Sequence, residues 1–314
     1  MTENKMNDMT VGSPVRLILR FMIPVCLGNI FQQFYNVADS IVAGQFIGVN
    51  ALAAIGSTGS LMFFVTGWLN GLSSGFAILV SQWFGAKEYD RMRHYVAMSI
   101  YLAAAFALIM TVGLLAANEP ILRLMNFSDE IMPDVKAYMG IIYAGLIVTA
   151  AYNSLAAFLR ALGDSRSPLY FLIISAAINV VLDIAFIVCF GMGVEGCAYA
   201  TVIAQGISAL LCFMFILKKF PILHLKKEDF RISFASFGRL LALGIPMGLQ
   251  FSITAIGTII VQGAVNVYGE IYMAGFSAAG KLQNIINTVF VAFGATIATF
   301  VGQNRGAGKM DRVK

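Results

Sequence analysis

The stretch Val80-Ser-Gln-Trp-Phe-Gly-Ala-Lys-Glu-Tyr-Asp-Arg91 returns 221 residues later as Val301-Gly-Gln-Asn-Arg-Gly-Ala-Gly-Lys-Met-Asp-Arg312, with Val, Gln, Gly, Ala, Asp and Arg identical. Each copy follows a long apolar run, and Pro24 and Pro246 recur at nearly the same offset. A repeat at so long a spacing marks two copies of one multi-helix unit in the same orientation, related by an axis along the membrane normal. Six apolar runs lie in the first copy and two begin the second. The predicted organisation is a first six-helix lobe at 1–217, an inter-lobe linker at 218–239 and the start of a second lobe at 240–314. On this count the natural chain has about twelve spans, and the present one is expected to be truncated after the eighth.

Composition requires a bilayer. Hydrophobic residues make up 59% and charged residues 12% of the 314, with a mean hydropathy of +0.81. Soluble domains carry about 25% charged residues. The apolar residues are grouped in runs of the length that crosses a membrane as helix. Eight spans are predicted, at 17–41, 51–82, 95–117, 134–158, 168–190, 194–217, 237–265 and 271–301. The fold class is therefore all-α and polytopic. Strand barrels need alternating runs of about ten residues, a different pattern.

Orientation follows from the basic residues. Of the 21 Lys and Arg, all but Arg123, Lys136 and Lys281 fall in the N-terminal segment, in the loops after spans two, four and six, or after span eight. Both termini are expected to be cytoplasmic. The net charge of +5 is then a topology signal with the lipid bilayer as partner, and no nucleic acid is expected. Phe230, Phe234 and Phe237, spaced by four and three, suggest a short helix lying on the interface. Cys26, Cys189, Cys197 and Cys212 form no CxxC pair and read as buried apolar side chains. His94 and His224 read as loop residues. No nucleophile elbow, metal-ligand cluster or phosphate-binding glycine loop is present, so no enzyme and no cofactor is expected.

Charged groups at membrane depth are costly, about 2.5–3.5 kcal/mol at a helix centre, and are usually functional. Two acids fall deep in spans, Asp39 and Asp183. Gln32, Tyr35 and Asp39 share a helical face, as do Ser175, Asn179 and Asp183, and Thr201, Gln205 and Ser208. Three polar stripes suggest a hydrated cavity in the first lobe; helix-to-helix hydrogen bonding is the other reading. Asp39 also lies near the end of its span, where solvation is an alternative. Its counterparts in span seven, Ile260 and Val261, are apolar, so the ionisable site belongs to the first lobe. Lys281 is the one deep cation, either lining the cleft or snorkelling. Pro24 removes a hydrogen bond from span one and is a candidate hinge, a static kink being the alternative.

The run Ile23-Pro-Val-Cys-Leu-Gly-Asn-Ile-Phe-Gln-Gln-Phe-Tyr-Asn-Val-Ala-Asp-Ser40 resembles the first helix of multidrug and toxic compound extrusion (MATE) transporters. Asn179-Val-Val-Leu-Asp183 resembles that family's fifth-helix N-x-x-x-D pattern, and Val80-Ser-Gln with Gly85-Ala its second-helix end. The resemblance implies two six-helix bundles across a cleft in the plasma (inner) membrane. It implies export of organic cations and amphipathic drugs, driven by H⁺ or Na⁺. It carries the cation-coupling site onto Asp39, Asn179, Asp183 and Thr201, which would also be the ligands of any Na⁺. It matches Tyr35 and Asn153 to polar positions lining the same lobe; together with Gln32 from the polar stripe and the deep cation Lys281, these are the expected substrate-cavity residues. Competing expectations are a lipid-linked saccharide flippase of related fold and a non-transporting membrane fragment.

Overall fold

The structure, a computed structural model, describes the backbone of residues 8–125, 127, 129–266 and 270–314; within these, the side chains at 34–36, 49, 255, 258–260, 262–266, 270–278, 280–282, 284 and 285 lie outside the described set. Tyr35 and Lys281 are among these, so neither expected cavity role can be placed. No strand occurs among the described residues.

Eleven α-helices are described: α1 Pro14–Phe46, α2 Val49–Ser57, α3 Gly59–Gly85, α4 Tyr89–Ala116, α5 Asn118–Leu124, α6 Met132–Ala144, α7 Leu146–Ala161, α8 Arg166–Ile184, α9 Val194–Lys219, α10 Phe234–Asn266 and α11 Glu270–Gly306. Among the described residues seven segments are long and apolar enough to span a membrane, and α6 with α7, bent by 49°, makes an eighth if the pair is one span. The sequence suggests one straight helix there. The bend falls at Gly145, where an added Cβ would lie 2.4 Å from a Val202 methyl on α9. Span two is likewise interrupted, between Ser57 and Gly59. Large apolar side chains such as Ile109, Val181 and Phe290 face outward, as expected where the solvent is lipid.

The first lobe packs around α9, which touches α6, α7 and α8, with α3 and α4 against α7. Its main core joins Val65, Leu69, Tyr138, Met139, Tyr143, Leu146 and Ala198. Helices α10 and α11, where the second lobe is expected to begin, both pack along α3, with α11 also along α1. At the basic end the two repeat copies meet reciprocally. A Cβ on Gly85 would lie 2.0 Å from the Gln303 carbonyl oxygen, and one on Gly306 would lie 1.8 Å from that of Gln82. Gln82 and Gln303 are themselves repeat equivalents, as are the two glycines. The contact therefore has the self-complementary form of a two-fold interface, and glycine is needed because backbone touches backbone.

The segment between α9 and α10 corrects one expectation. It holds two short 3-10 turns, Pro221–Leu223 and Lys227–Phe230, and Phe234 already opens α10. Phe230 packs edge-on against Tyr101 of α4 at 5.9 Å. The three phenylalanines thus form no interfacial helix of their own. His94 is also not a loop residue but lies in α4. Cys197 and Cys212 are buried, whereas Cys189 is exposed on the outer surface. At the opposite end the two stray basic residues share one carboxylate: Arg123 and Lys136 both reach Glu119 at 2.7 Å. Hydrogen bonds from Lys136 first, then Arg123, pull the Glu119 carboxyl down to about 2.

Candidate ion site in the first lobe

Asp39 of α1, Asn179 and Asp183 of α8 and Thr201 of α9 come together where these three helices meet. Asp39 is 3% exposed and Asp183 and Asn179 are 0% exposed. The solvated reading of Asp39 is therefore wrong: three helices close over it although it lies near its span's end. Thr201 Oγ1 donates to Asp39 Oδ2 at 3.0 Å. Asp183 and Asn179 also stand beside the Asp39 carboxyl. Asp39 Oδ1, both Asn179 amide atoms and both Asp183 oxygens are buried without a hydrogen-bond partner. Each such atom costs about 1–3 kcal/mol if left unmade. A cluster of five is a place where the resident protein groups do not complete one another.

Two further residues that the sequence did not single out stand here. Tyr138 of α6 and Cys197 of α9 are both buried, in the core that also takes Val42 and Ala43, one turn beyond Asp39 on α1. Tyr138 lies on no polar stripe, whereas Cys197 stands one turn before Thr201 on the same face of α9, where a small thiol reads as core. A third unforeseen feature follows Asp183 directly: α8 continues as a π-helical turn over Ala185–Cys189. Wider turns of this kind gather at functional sites, and this one alters the helix next to the buried acid.

The other expected positions fare differently. Ser175 Oγ donates to the Ala204 carbonyl at 2.7 Å and Ser208 Oγ to that of Phe171 at 2.9 Å. Gln205 Oε1 accepts from Thr149 at 2.6 Å. These groups knit α7, α8 and α9 together, so three of the six positions on the two stripes of α8 and α9 are glue and not cavity wall. Gln32 is exposed and Asn153 is half-buried; neither is among the groups gathered round Asp39. Pro24 is buried within an uninterrupted α1. It supplies no N–H to the Arg20 carbonyl, so the helix is weakened there.

Chemically, the four side chains supply carboxylate, amide and hydroxyl oxygens in a dry setting. Among the described residues no three His, Cys, Asp or Glu side chains group into a metal site. The donor set is hard oxygen throughout, which suits H⁺ or an alkali cation and not a soft transition metal.

A profile of the MatE family matches residues 24–185, a span containing Asp39, Asn179 and Asp183. The chain is 30% identical over 313 residues to probable multidrug resistance protein YpnP of Bacillus subtilis (strain 168), covering 98% of this chain and 69% of that protein. It is 24% identical over 315 residues to the FAD transporter of Shewanella oneidensis, covering 97% and 68%. A crystal structure of MATE in the bent conformation superposes with a TM-score of 0.91 at 23% identity, over 100% of this chain and 70% of that one, a likeness of fold. The chain thus spans roughly two thirds of each. With eight membrane segments, the parallel repeat and these likenesses, the chain belongs to the MATE family of multidrug efflux transporters, which are not enzymes.

Proposed function

We propose that this chain carries the ion-coupling part of a cation-driven antiporter that exports organic cations and amphipathic drugs across the plasma membrane, with both termini cytoplasmic. The observation that carries this reading is the pair of buried carboxylates, Asp39 and Asp183, faced by Asn179 and Thr201. Two adjacent carboxylates in an apolar bundle cannot both hold charge unless a cation or a proton joins them. Loading the site with H⁺ or Na⁺ neutralises it, and releasing the ion restores repulsion between α1 and α8. Helix α1 also packs along α11 of the second lobe, so a change in its seat on α8 reaches the cleft. The weak point at Pro24 is the natural place for that helix to bend.

Away from the two ends, the buried charged groups among the described residues are these two acids. That favours a cationic cargo over a pyrophosphate-linked lipid, whose cavity would need several cations. The test is ion binding to the purified chain. A drug cation should release protons into a dye-reported medium, or compete with Na⁺ in calorimetry. Asp39→Asn should abolish the release or the competition, and Asp183→Asn should weaken it. Unchanged ion binding in both variants would refute the assignment.

A further inference from the structure

We propose that the basic end of the molecule holds a phosphate-binding pocket for the headgroup of an anionic phospholipid. The pocket, a recess of about 550 Å³, lies between the end of α3, the start of α4 and the start of α10. Its walls form a stack. The Arg91 guanidinium lies 4.9 Å from the Trp83 ring centroid. Trp83 in turn stacks on Tyr95 at 6.0 Å and 20°. On the far side Arg239 Nη1 donates to the Tyr95 hydroxyl at 3.2 Å. Each guanidinium is thus fixed in place, with N–H groups to spare, since an arginine carries five.

The charges favour an anion. Arg239 makes no ion pair with a described acid within 4.0 Å. Arg91 pairs with Glu88, the closest approach being Nε to the carboxylate at 2.9 Å. Asp90 also lines the recess, and it is engaged by Arg93. The Trp83 indole N–H is shielded from water and lacks an acceptor. His94 is already committed, to the Asp229 carbonyl and the Ser236 hydroxyl, both at 3.1 Å.

Two observations point to a lipid as the source of the phosphate. Trp and Tyr sit at headgroup level in membrane proteins, and basic pockets between helices on the positive side hold anionic headgroups. In addition, Phe234 is 84% and Ile232 is 65% exposed, at the entry to the helix that supplies Arg239, where acyl chains would cover them. Arg91 lies at the start of α4 and Arg239 at the start of α10, so a bound phosphate would tie these two helices together at this end. The inference rests on the membrane assignment and not on the export reading.

The test uses the purified chain in nanodiscs of phosphatidylcholine with and without phosphatidylglycerol, and native mass spectrometry to count retained phosphatidylglycerol. At about 1 kcal/mol per basic group near the surface, Arg91→Gln with Arg239→Gln should weaken retention about 25-fold. Lys218→Gln with Lys219→Gln removes the same charge from the same end and should leave retention unchanged. Arg91→Lys with Arg239→Lys should recover part of it, which shows that the loss is not unfolding. Equal loss in both glutamine pairs would overturn the pocket in favour of diffuse surface charge. Displacement of the lipid by millimolar inorganic phosphate, or protection by inorganic phosphate alone, would overturn the lipid as its source. Transport is not read, so failure here leaves the coupling site untouched.

Discussion

Gly85→Ala tests the reciprocal contact between the two repeat copies. The added methyl would lie 2.0 Å from the Gln303 carbonyl oxygen and 2.6 Å from its carbon, against an ordinary contact of about 3.5 Å. The obstacle is backbone, which cannot rotate away as a side chain can. Helices α3 and α11 must therefore part by roughly 1.5 Å at this end. Overpacking a fitted interface costs about 1–3 kcal/mol, and a clash with backbone belongs at the upper limit. If opening relieves that strain, the open population rises by a factor on the order of 10². Ser81→Cys reports it, because Ser81 is 1% exposed and faces Gly302 across the same contact. With Cys26 and Cys189 replaced by serine, the rate of maleimide labelling tracks the open population. Gly85→Ala and Gly306→Ala should each accelerate labelling on the order of a hundredfold, and the pair should be less than additive because they strain one crossing. An unchanged rate in a folded Gly85→Ala chain would refute the claim that this crossing holds the basic end shut.

Other perturbations have separate readouts. Thr201→Val keeps shape but removes the donor to Asp39; ion affinity should fall about tenfold, as for a charge-assisted hydrogen bond, with Thr201→Ser near wild type by calorimetry. Arg93→Met leaves the Asp229 carboxylate without its cation, held only by the Lys226 N–H at 2.7 Å, in a pair that is 9% and 8% exposed at 3.3 Å; thermal unfolding should report a loss of about 3 kcal/mol, and a loss below about 1 kcal/mol would contradict the buried-pair reading. Cysteines at Lys87 and Lys226 should label only from the cytoplasmic side and one at Asp129 only from outside; external labelling at 226 would overturn the span count.

The helical class was legible because apolar runs of membrane length are hard to mistake, and basic residues then order the loops. The repeat at Val80 and Val301 foretold that the two units correspond, and the structure adds that the copies touch, glycine against glutamine backbone. Asp39 and Asp183 announced themselves through the cost of burying acids. Tyr138 did not, because an aromatic looks the same in a core and beside an ion; Cys197 shares the helical face of Thr201, but a small thiol there reads as core. Ser175 and Ser208 misled for the converse reason: a hydroxyl on a helix face reads the same whether it lines a cavity or bonds a neighbour's carbonyl. The bend at Gly145 depends on Val202 of another helix, which no local pattern contains.

The most direct test of the central claim is ion-driven efflux by Asp39→Asn. Asparagine keeps the volume and can still accept from Thr201, but it cannot exchange a charge for a bound ion. With the protein reconstituted in vesicles, drug efflux under an imposed proton or sodium gradient should fall to the level of empty vesicles at equal protein abundance. Asp183→Asn should weaken it, and the double variant should be little worse than Asp39→Asn, since coupled residues do not add. Gradient-driven efflux by Asp39→Asn at the wild-type rate would contradict the account.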